Sequence, residues 1–126
     1  MRGLLVDTDV LIDFFRNIKP AVAFIKENRH RLYLPAIVIA EIYSEVLKSE
    51  EEEVRKFISA FPVAEITRET AVQGGMLRRE YGPSHGISLA DALIAGAVME
   101  TGFELATLNT RHYPMLQNLK PAYRKR

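Results

Sequence analysis

Four oxygen-bearing side chains are the residues of this sequence best suited to chemistry: Asp7, Glu41, Asp91 and Asn109. Each one follows or interrupts an apolar run, where a polar group is costly unless it is hydrogen-bonded, paired or bound to an ion. Carboxylate and amide oxygens are hard ligands of the kind that Mg²⁺ and Mn²⁺ prefer. Because several carboxylates brought together repel one another, a divalent cation would stabilise them. The set therefore predicts a magnesium or manganese site.

Two of these residues are expected at the same edge of a parallel sheet. Asp7 follows the apolar run 4–6 directly, and Asn109 follows the run 103–108. In open α/β sheets, ligands bind at the carboxyl ends of the strands. Each residue also has an ordinary structural role open to it, Asp7 as a helix N-cap and Asn109 as a turn residue. Convergence of both side chains with the other acids would favour the functional interpretation.

The other two acids lie within apolar helical segments. Glu41 interrupts the run 37–43 and, on a helix, shares a face with the apolar residues three and four positions before it. That run leaves little polar surface for Glu41, so we favour a functional role over simple solvation. Asp91 starts a helix rich in small residues, which indicates close packing against its neighbours. It also lies three residues after Ser88, so a capping box is the alternative role for Asp91.

Composition excludes several other kinds of site. The chain has 126 residues and no cysteine, which rules out disulfides, thiolate nucleophiles and Cys-based zinc sites. The three histidines, His30, His85 and His112, are scattered, which further disfavours zinc. The net charge of +1 is too small to indicate a nucleic-acid partner and does not exclude one. Acidic residues interrupt the apolar N-terminus, so we expect neither a signal peptide nor a membrane span, but a soluble cytoplasmic protein.

Alternating strands and helices must position these side chains. Strands are predicted at 4–6, 32–34, 63–66 and 103–108, with a last short one around Leu119, and helices at 8–16, 20–28, 35–48, 49–60, 67–81 and 88–102. This alternation predicts an α/β fold, one domain over residues 1–126 in which helices flank a central parallel sheet. Residues 120–126 are expected to form a flexible basic tail.

Three local features refine this prediction. Ser49 with Glu52 forms a capping-box pattern at the start of the fourth helix. Gly82-Pro83 is expected to end the fifth helix. Asp13 is expected to be an ordinary solvated residue of the first helix.

Four segments in order resemble the PIN-domain family, in particular the VapC-type toxins of bacterial and archaeal toxin–antitoxin pairs. They are LLVDTDVLID, VIAEIYSEV, ISLADALIAGAVMETG and LATLNTRHY, and they extend through almost the whole chain. The resemblance implies a compact α/β fold with a central parallel sheet. It also implies Mg²⁺-dependent cleavage of RNA, a partner antitoxin that restrains this activity, and a homodimer.

The resemblance also assigns roles to individual residues. Asp7, Glu41 and Asp91 match the first three family acids, and Asp9 replaces a commoner asparagine, which brings it near the site. Asp7 and Asp91 would anchor the metal, while Glu41 would bind metal or orient the attacking water. Many PIN domains have an aspartate where this chain has Asn109. We therefore expect one tightly bound metal, with a second recruited by the RNA phosphate.

Basic and aromatic residues suggest partner surfaces. Candidates for contact with RNA phosphates are Arg78, Arg79, Arg111, His112, Lys120, Arg124, Lys125 and Arg126, although each could simply be solvated charge. Phe14 and Phe15 are expected to be exposed near the N-terminus and to support a homodimer.

Two other functions fit parts of the sequence. LLVDTDV superficially matches the strand and DxD motif of haloacid-dehalogenase-type phosphatases, in which Asp7 would be a nucleophile that forms an acyl-phosphate. Those proteins normally have longer chains and a downstream lysine that contacts phosphate. Alternatively, Asn109 hints at a PIN module that binds RNA or a partner without turnover. Binding without metal-dependent cleavage would select that alternative.

Overall fold

Four parallel strands at the centre of the molecule carry the candidate site. In the computed structural model, which describes residues 2–125, these strands are β1 (Leu4–Val6), β2 (Leu32–Pro35), β3 (Val63–Ala64) and β4 (Glu104–Ala106). They lie in the order β3-β2-β1-β4. The register pairs Leu4 with Leu32 on one side of β1 and Val6 with Ala106 on the other. The prediction of a parallel α/β fold is confirmed.

Six α-helices surround the sheet within residues 2–125. They are α1 (Thr8–Phe15), α2 (Lys19–Asn28), α3 (Ala36–Glu45), α4 (Glu51–Ser59), α5 (Arg68–His85) and α6 (Leu89–Thr101). Short 3₁₀ turns occupy Arg29–Arg31, Lys48–Glu50 and Thr110–His112. None of the helices in this described part of the chain is long and apolar enough to cross a bilayer.

Strand β1 lies in the middle of the hydrophobic core. Leu5 and Val6 are fully buried, and Leu34 of β2 is equally inaccessible. Burying each such side chain stabilises the fold by about 1.5–3 kcal/mol. A strand held this firmly fixes the position of the residue that follows it, so Asp7 has a defined place at the edge of the sheet.

Helices α5 and α6 pack closely because glycines face each other at their crossing. A Cβ atom on Gly96 would lie 2.9 Å from the Thr70 carbonyl oxygen, and one on Gly74 would lie 2.7 Å from the Leu93 side chain. The close packing expected from the small residues of α6 is confirmed. This packing fixes the first turn of α6, which carries Asp91.

The predicted end of α5 and the predicted capping box before α4 were wrong. Helix α5 continues through Gly82 and Pro83 to His85 and ends at Gly86, which has a φ of 63°. A residue before proline normally avoids helical geometry because its side chain clashes with the proline ring, but Gly82 has no side chain. Before α4, Glu50 rather than Glu52 accepts the capping bond, at 2.7 Å from the Leu47 N–H.

The chain after β4 packs against the sheet and α1 without forming a further strand in residues 107–125, so the strand predicted around Leu119 is not observed. The Ala122 N–H donates to the Thr107 carbonyl oxygen at 3.0 Å. The Tyr123 ring lies 5.9 Å from that of Phe24 in α2. Residues 122 and 123 of the predicted tail therefore have specific partners on the domain. Arg126 lies outside the described residues.

Candidate active site

The structure brings together all four side chains that the sequence singled out. Asp7 at the end of β1, Glu41 on α3 and Asp91 in the first turn of α6 line one open cleft of about 390 Å³. Asn109, which is exposed, lies at the edge of the same cleft. The cleft opens at the carboxyl edge of the sheet, where α/β folds bind their ligands.

Asp7 is held by three hydrogen-bond donors. Its Oδ1 accepts from the Thr8 N–H at 2.7 Å, and its Oδ2 accepts from the hydroxyls of Thr107 and Tyr113, each at 2.8 Å. These charge-assisted bonds compensate a carboxylate that is only 7% exposed. Asp7 is also the N-cap of α1, whose first helical residue is Thr8. The structural and functional interpretations of Asp7 are therefore compatible.

Asp91 and Glu41 are also oriented by neighbours. Asp91 Oδ2 lies 2.9 Å from His112 Nδ1, and its Oδ1 lies 3.4 Å from the Tyr113 hydroxyl. Ser88 caps α6 by accepting from the Asp91 N–H at 3.1 Å, so half of the predicted capping box is present. Glu41 Oε1 accepts from the Thr8 hydroxyl at 2.6 Å. Each acid thus approaches the cleft in a fixed direction.

The site carries negative charge that its surroundings do not fully offset. Burial, followed by the charge of Asp7, raises the pKa of Asp91. Burial also raises the pKa of Glu41, with repulsion from Asp7 and Asp91 adding to the shift and the Thr8 hydrogen bond opposing it. For Asp9, burial and the charge of Asp7 raise the pKa to about 6. A cation in the cleft would relieve this repulsion.

The donor set fits a hard divalent cation in its chemistry. Every acidic group at the cleft offers carboxylate oxygens as ligands. The raised pKa values of Asp9, Glu41 and Asp91 mean that their ionised forms are destabilised there, and a nearby positive charge would stabilise them. In residues 2–125, no three histidine, aspartate or glutamate side chains stand in a ready ligand arrangement. Hydroxyls and His112 instead separate the carboxylates.

The other two acids of α1 have different surroundings. Asp9 lines the cleft, and its Oδ2 accepts from the Leu108 N–H at 3.0 Å, as expected for a residue near the site. Asp13 was expected to be solvated but is only 6% exposed. It accepts from the Tyr123 hydroxyl at 2.8 Å and lies 3.0 Å from Lys125 Nζ. The C-terminal segment therefore covers Asp13, which the helix pattern alone could not show.

Sequence reasoning missed the hydroxyls that hold the carboxylates. Thr107 follows β4 as Asp7 follows β1, and the register pairs Val6 with Ala106. The residues that follow, Asp7 and Thr107, therefore lie side by side. The position of Thr107 directly after a strand was the signal that could have identified it. Tyr113 had no such signal, because it lies beyond a 3₁₀ turn.

Few of the candidate basic residues line the acidic cleft. His112 and Lys125 do so, together with Arg16, which the sequence reasoning missed. Arg111 lines a neighbouring cleft, and Lys120 lines one against the start of β4.

Phe14 and Phe15 are not exposed as predicted. Both are half-buried, and their ring centroids lie 4.8 and 5.3 Å from that of Phe57 on α4. The rings pack within the chain because α4 covers this side of α1. They no longer provide a basis for a homodimer.

The fold and the cleft define a class of protein. The chain belongs to the PIN domain family, which matches residues 4–115. It is 34% identical over 123 residues to "Ribonuclease VapC10" of Mycobacterium tuberculosis, covering 95% of this chain and 92% of the relative. It is 33% identical over 123 residues to "Ribonuclease VapC19" of the same organism, covering 94% and 98%.

Solved structures share the fold. A toxin–antitoxin complex from Klebsiella pneumoniae matches with a TM-score of 0.82 and 24% identity, covering 96% of this chain and 98% of the other. DNA-bound VapBC from Salmonella typhimurium matches with a TM-score of 0.78 and 23% identity, covering 96% and 97%. At these identities the likeness shows the fold alone.

Proposed function

We propose that this chain is a Mg²⁺-dependent endoribonuclease and the toxin of a toxin–antitoxin pair. It hydrolyses RNA phosphodiester bonds with an activated water. The observation that carries the proposal is the convergence of Asp7, Glu41 and Asp91 in one open cleft. The chain is also 34% identical to a protein named as a ribonuclease, which supports RNA as the substrate.

Three acids have distinct roles in this proposal. Asp7 and Asp91 hold Mg²⁺, for which Mn²⁺ can substitute, and Glu41 binds the metal or orients the water. When bound, the cation lowers the pKa of a water and stabilises negative charge on the phosphate. The Thr8 hydroxyl, which donates to Glu41 Oε1 at 2.6 Å, would orient the Glu41 carboxylate for either role. No covalent intermediate with the enzyme is required.

The cleft favours one tightly bound cation. Asn109 at its edge is uncharged, and its amide nitrogen lies 3.2 Å from the His112 ring nitrogens. A second cation would therefore enter with the RNA phosphate. Burial and the charge of Asp7 raise the pKa of Asp9 to about 6, so a second cation nearby would favour the ionised form of Asp9.

The proposed partners are RNA, an antitoxin and a second copy of the chain. Solved complexes with the same fold contain an antitoxin, which supports a protein partner. Arg16 and Lys125, the latter paired with Asp13, line the cleft, and this supports them as contacts for RNA phosphates. A ribonuclease of this kind acts where cellular RNA is, so we place it in the cytoplasm. The homodimer remains a proposal from the family resemblance.

An RNA cleavage assay tests the proposed function. The full chain is incubated with RNA in Mg²⁺ or Mn²⁺, with and without chelator, beside an Asp7→Asn variant. Asparagine caps helices as well as aspartate does, so α1 should be retained while a charged ligand is lost. Glu100→Gln, an exposed carboxylate change on α6, is the matched control.

We expect cleavage by the parent and by the control, and none with chelator or with Asp7→Asn. RNA binding without metal-dependent cleavage would instead indicate a non-catalytic PIN module. Membership of the PIN family leaves the phosphatase alternative without support. An acyl-phosphate on Asp7 would restore it.

A further inference from the structure

The hydroxyl of Tyr113 stands between two acids of the cleft. The side chain is 1% exposed, and its oxygen lies 2.8 Å from Asp7 Oδ2 and 3.4 Å from Asp91 Oδ1. Tyr113 is thus in hydrogen-bond range of both proposed metal ligands.

This hydroxyl has one hydrogen to donate, and the shorter distance directs it to Asp7. A tyrosine hydroxyl ionises only near pH 10, so the group is a neutral donor at about neutral pH. The donated hydrogen bond stabilises the Asp7 carboxylate without removing its charge.

The remaining bonds of Asp7 show what the tyrosine adds. Thr107 donates to the same Oδ2, and the Thr8 N–H donates to Oδ1. Thr8 N–H is part of the cap of α1, and Thr107 follows the neighbouring strand. Of these three donors, Tyr113 is the one whose oxygen also lies beside Asp91 of α6, 3.4 Å from Oδ1.

We propose that Tyr113 is a positioning residue, whose hydroxyl fixes the Asp7 carboxylate in the orientation in which it binds the divalent cation beside Asp91. The inference rests on the proposed function, because it requires that Asp7 and Asp91 hold the metal. Groups that orient metal ligands in this way typically change metal affinity about 10–100-fold when removed.

A matched pair of variants tests the inference. Tyr113→Phe and Tyr123→Phe each remove one hydroxyl that donates to an aspartate at 2.8 Å, but Tyr123 serves Asp13 rather than Asp7. Mn²⁺ is titrated into the metal-free full chain, and free Mn²⁺ is measured by electron paramagnetic resonance, well below the melting temperature of every variant. Asp7→Asn is the reference that removes a ligand.

We expect Tyr113→Phe to weaken Mn²⁺ binding about 10–100-fold, as is typical for groups that orient metal ligands. Tyr123→Phe should stay close to the parent. A purely structural tyrosine would lower the melting temperature and leave the affinity of the folded protein unchanged. Parent-like Mn²⁺ affinity in folded Tyr113→Phe, with binding lost in Asp7→Asn, overturns the inference and leaves the proposed function standing. Parent-like binding in Asp7→Asn overturns both.

A second measurement does not depend on whether Tyr113→Phe folds. The five tyrosines of the chain, labelled with ¹³C at Cζ, report the hydrogen bonding of each hydroxyl by nuclear magnetic resonance. Phenylalanine variants of the other four assign the Tyr113 signal by elimination. That signal should move as Mg²⁺ is added, and the midpoint of its shift should equal the midpoint of Mg²⁺ binding measured separately by titration calorimetry. The Tyr123 signal should stay in place. A Tyr113 signal that ignores saturating Mg²⁺ contradicts the inference.

Discussion

Replacing Asp91 by asparagine separates its role as a metal ligand from a role in capping α6. The Asp91 carboxylate is 15% exposed and close to Asp7, and both burial and the Asp7 charge raise its pKa. A carboxyl whose pKa is raised on folding contributes stability at low pH and loses it as pH rises through the folded pKa. At neutral pH the charge therefore destabilises the metal-free fold, and asparagine removes that cost.

The change also removes favourable contacts, but these are small. The contact with His112, which is an ion pair only when the histidine is protonated, is partly exposed, at 44% for the histidine, and even exposed ion pairs contribute only about 0–1 kcal/mol. The Ser88 cap uses the backbone N–H of residue 91, which asparagine keeps. We therefore expect the metal-free variant to be as stable as the parent or slightly more stable.

The response to Mg²⁺ should differ much more. A ligand at 100 times its Kd stabilises a protein by about 2.7 kcal/mol. If the variant binds Mg²⁺ about 100-fold more weakly, the same relation gives about 0.4 kcal/mol at that concentration. Since 1 kcal/mol shifts Tm by roughly 4 °C in a domain near this size, the parent should gain about 10 °C and the variant about 2 °C.

Thermal melting of both proteins, with and without Mg²⁺, measures all four values. If the variant melts lower without metal and gains as much from Mg²⁺ as the parent, Asp91 is a cap and its metal role is wrong. Glu100→Gln on the same helix should match the parent in both conditions.

Other perturbations test the packing, the acidic cleft and the RNA contacts. Gly96→Ala should lower the free energy of unfolding in urea by about 1–3 kcal/mol, since its Cβ would lie 2.9 Å from a carbonyl oxygen. Gly75→Ala, with open space around it, should raise that free energy by up to about 1 kcal/mol. Equal effects of the two variants would refute the packing argument. Burial and the charge of Asp7 raise the Asp9 pKa to about 6, so the metal-free parent should lose stability relative to Asp9→Asn as pH rises from about 4 to 6; parallel pH profiles would contradict this. Lys125→Ala should reduce the slope of log K for RNA binding against log salt concentration by about 1, while Lys120→Ala, away from the acidic cleft, should not. An equal reduction of the slope in both variants would indicate nonspecific charge.

The sequence predicted the main acids because their signals are local. Asp7 directly follows a buried strand, and Glu41 interrupts an apolar helical face, so each could be recognised from a few neighbouring residues. The alternation of strands and helices gave the parallel sheet for the same reason. These features depend on periodicity and on strand ends, which do not require knowledge of distant contacts.

The features that were missed depend on contacts between distant parts of the chain. Asp13 is buried by Tyr123, 110 residues later, and Asp7 is held by Tyr113, 106 residues later. Phe14 is covered by Phe57 of α4 rather than exposed. Pro83 remains helical because the preceding residue happens to be glycine. Pattern reasoning gave each residue its usual environment, and tertiary packing changed it.

The docking of the C-terminal segment on α1 affects how the protein can be handled. Lys125 lines the acidic cleft, so an affinity tag or fusion partner attached after it would begin at the mouth of that cleft. Arg2 instead lies beside Glu104, at the amino ends of β1 and β4 and across the sheet from the acids. A purification handle before Arg2 would therefore leave the acidic cleft open, whereas one after Lys125 would crowd it.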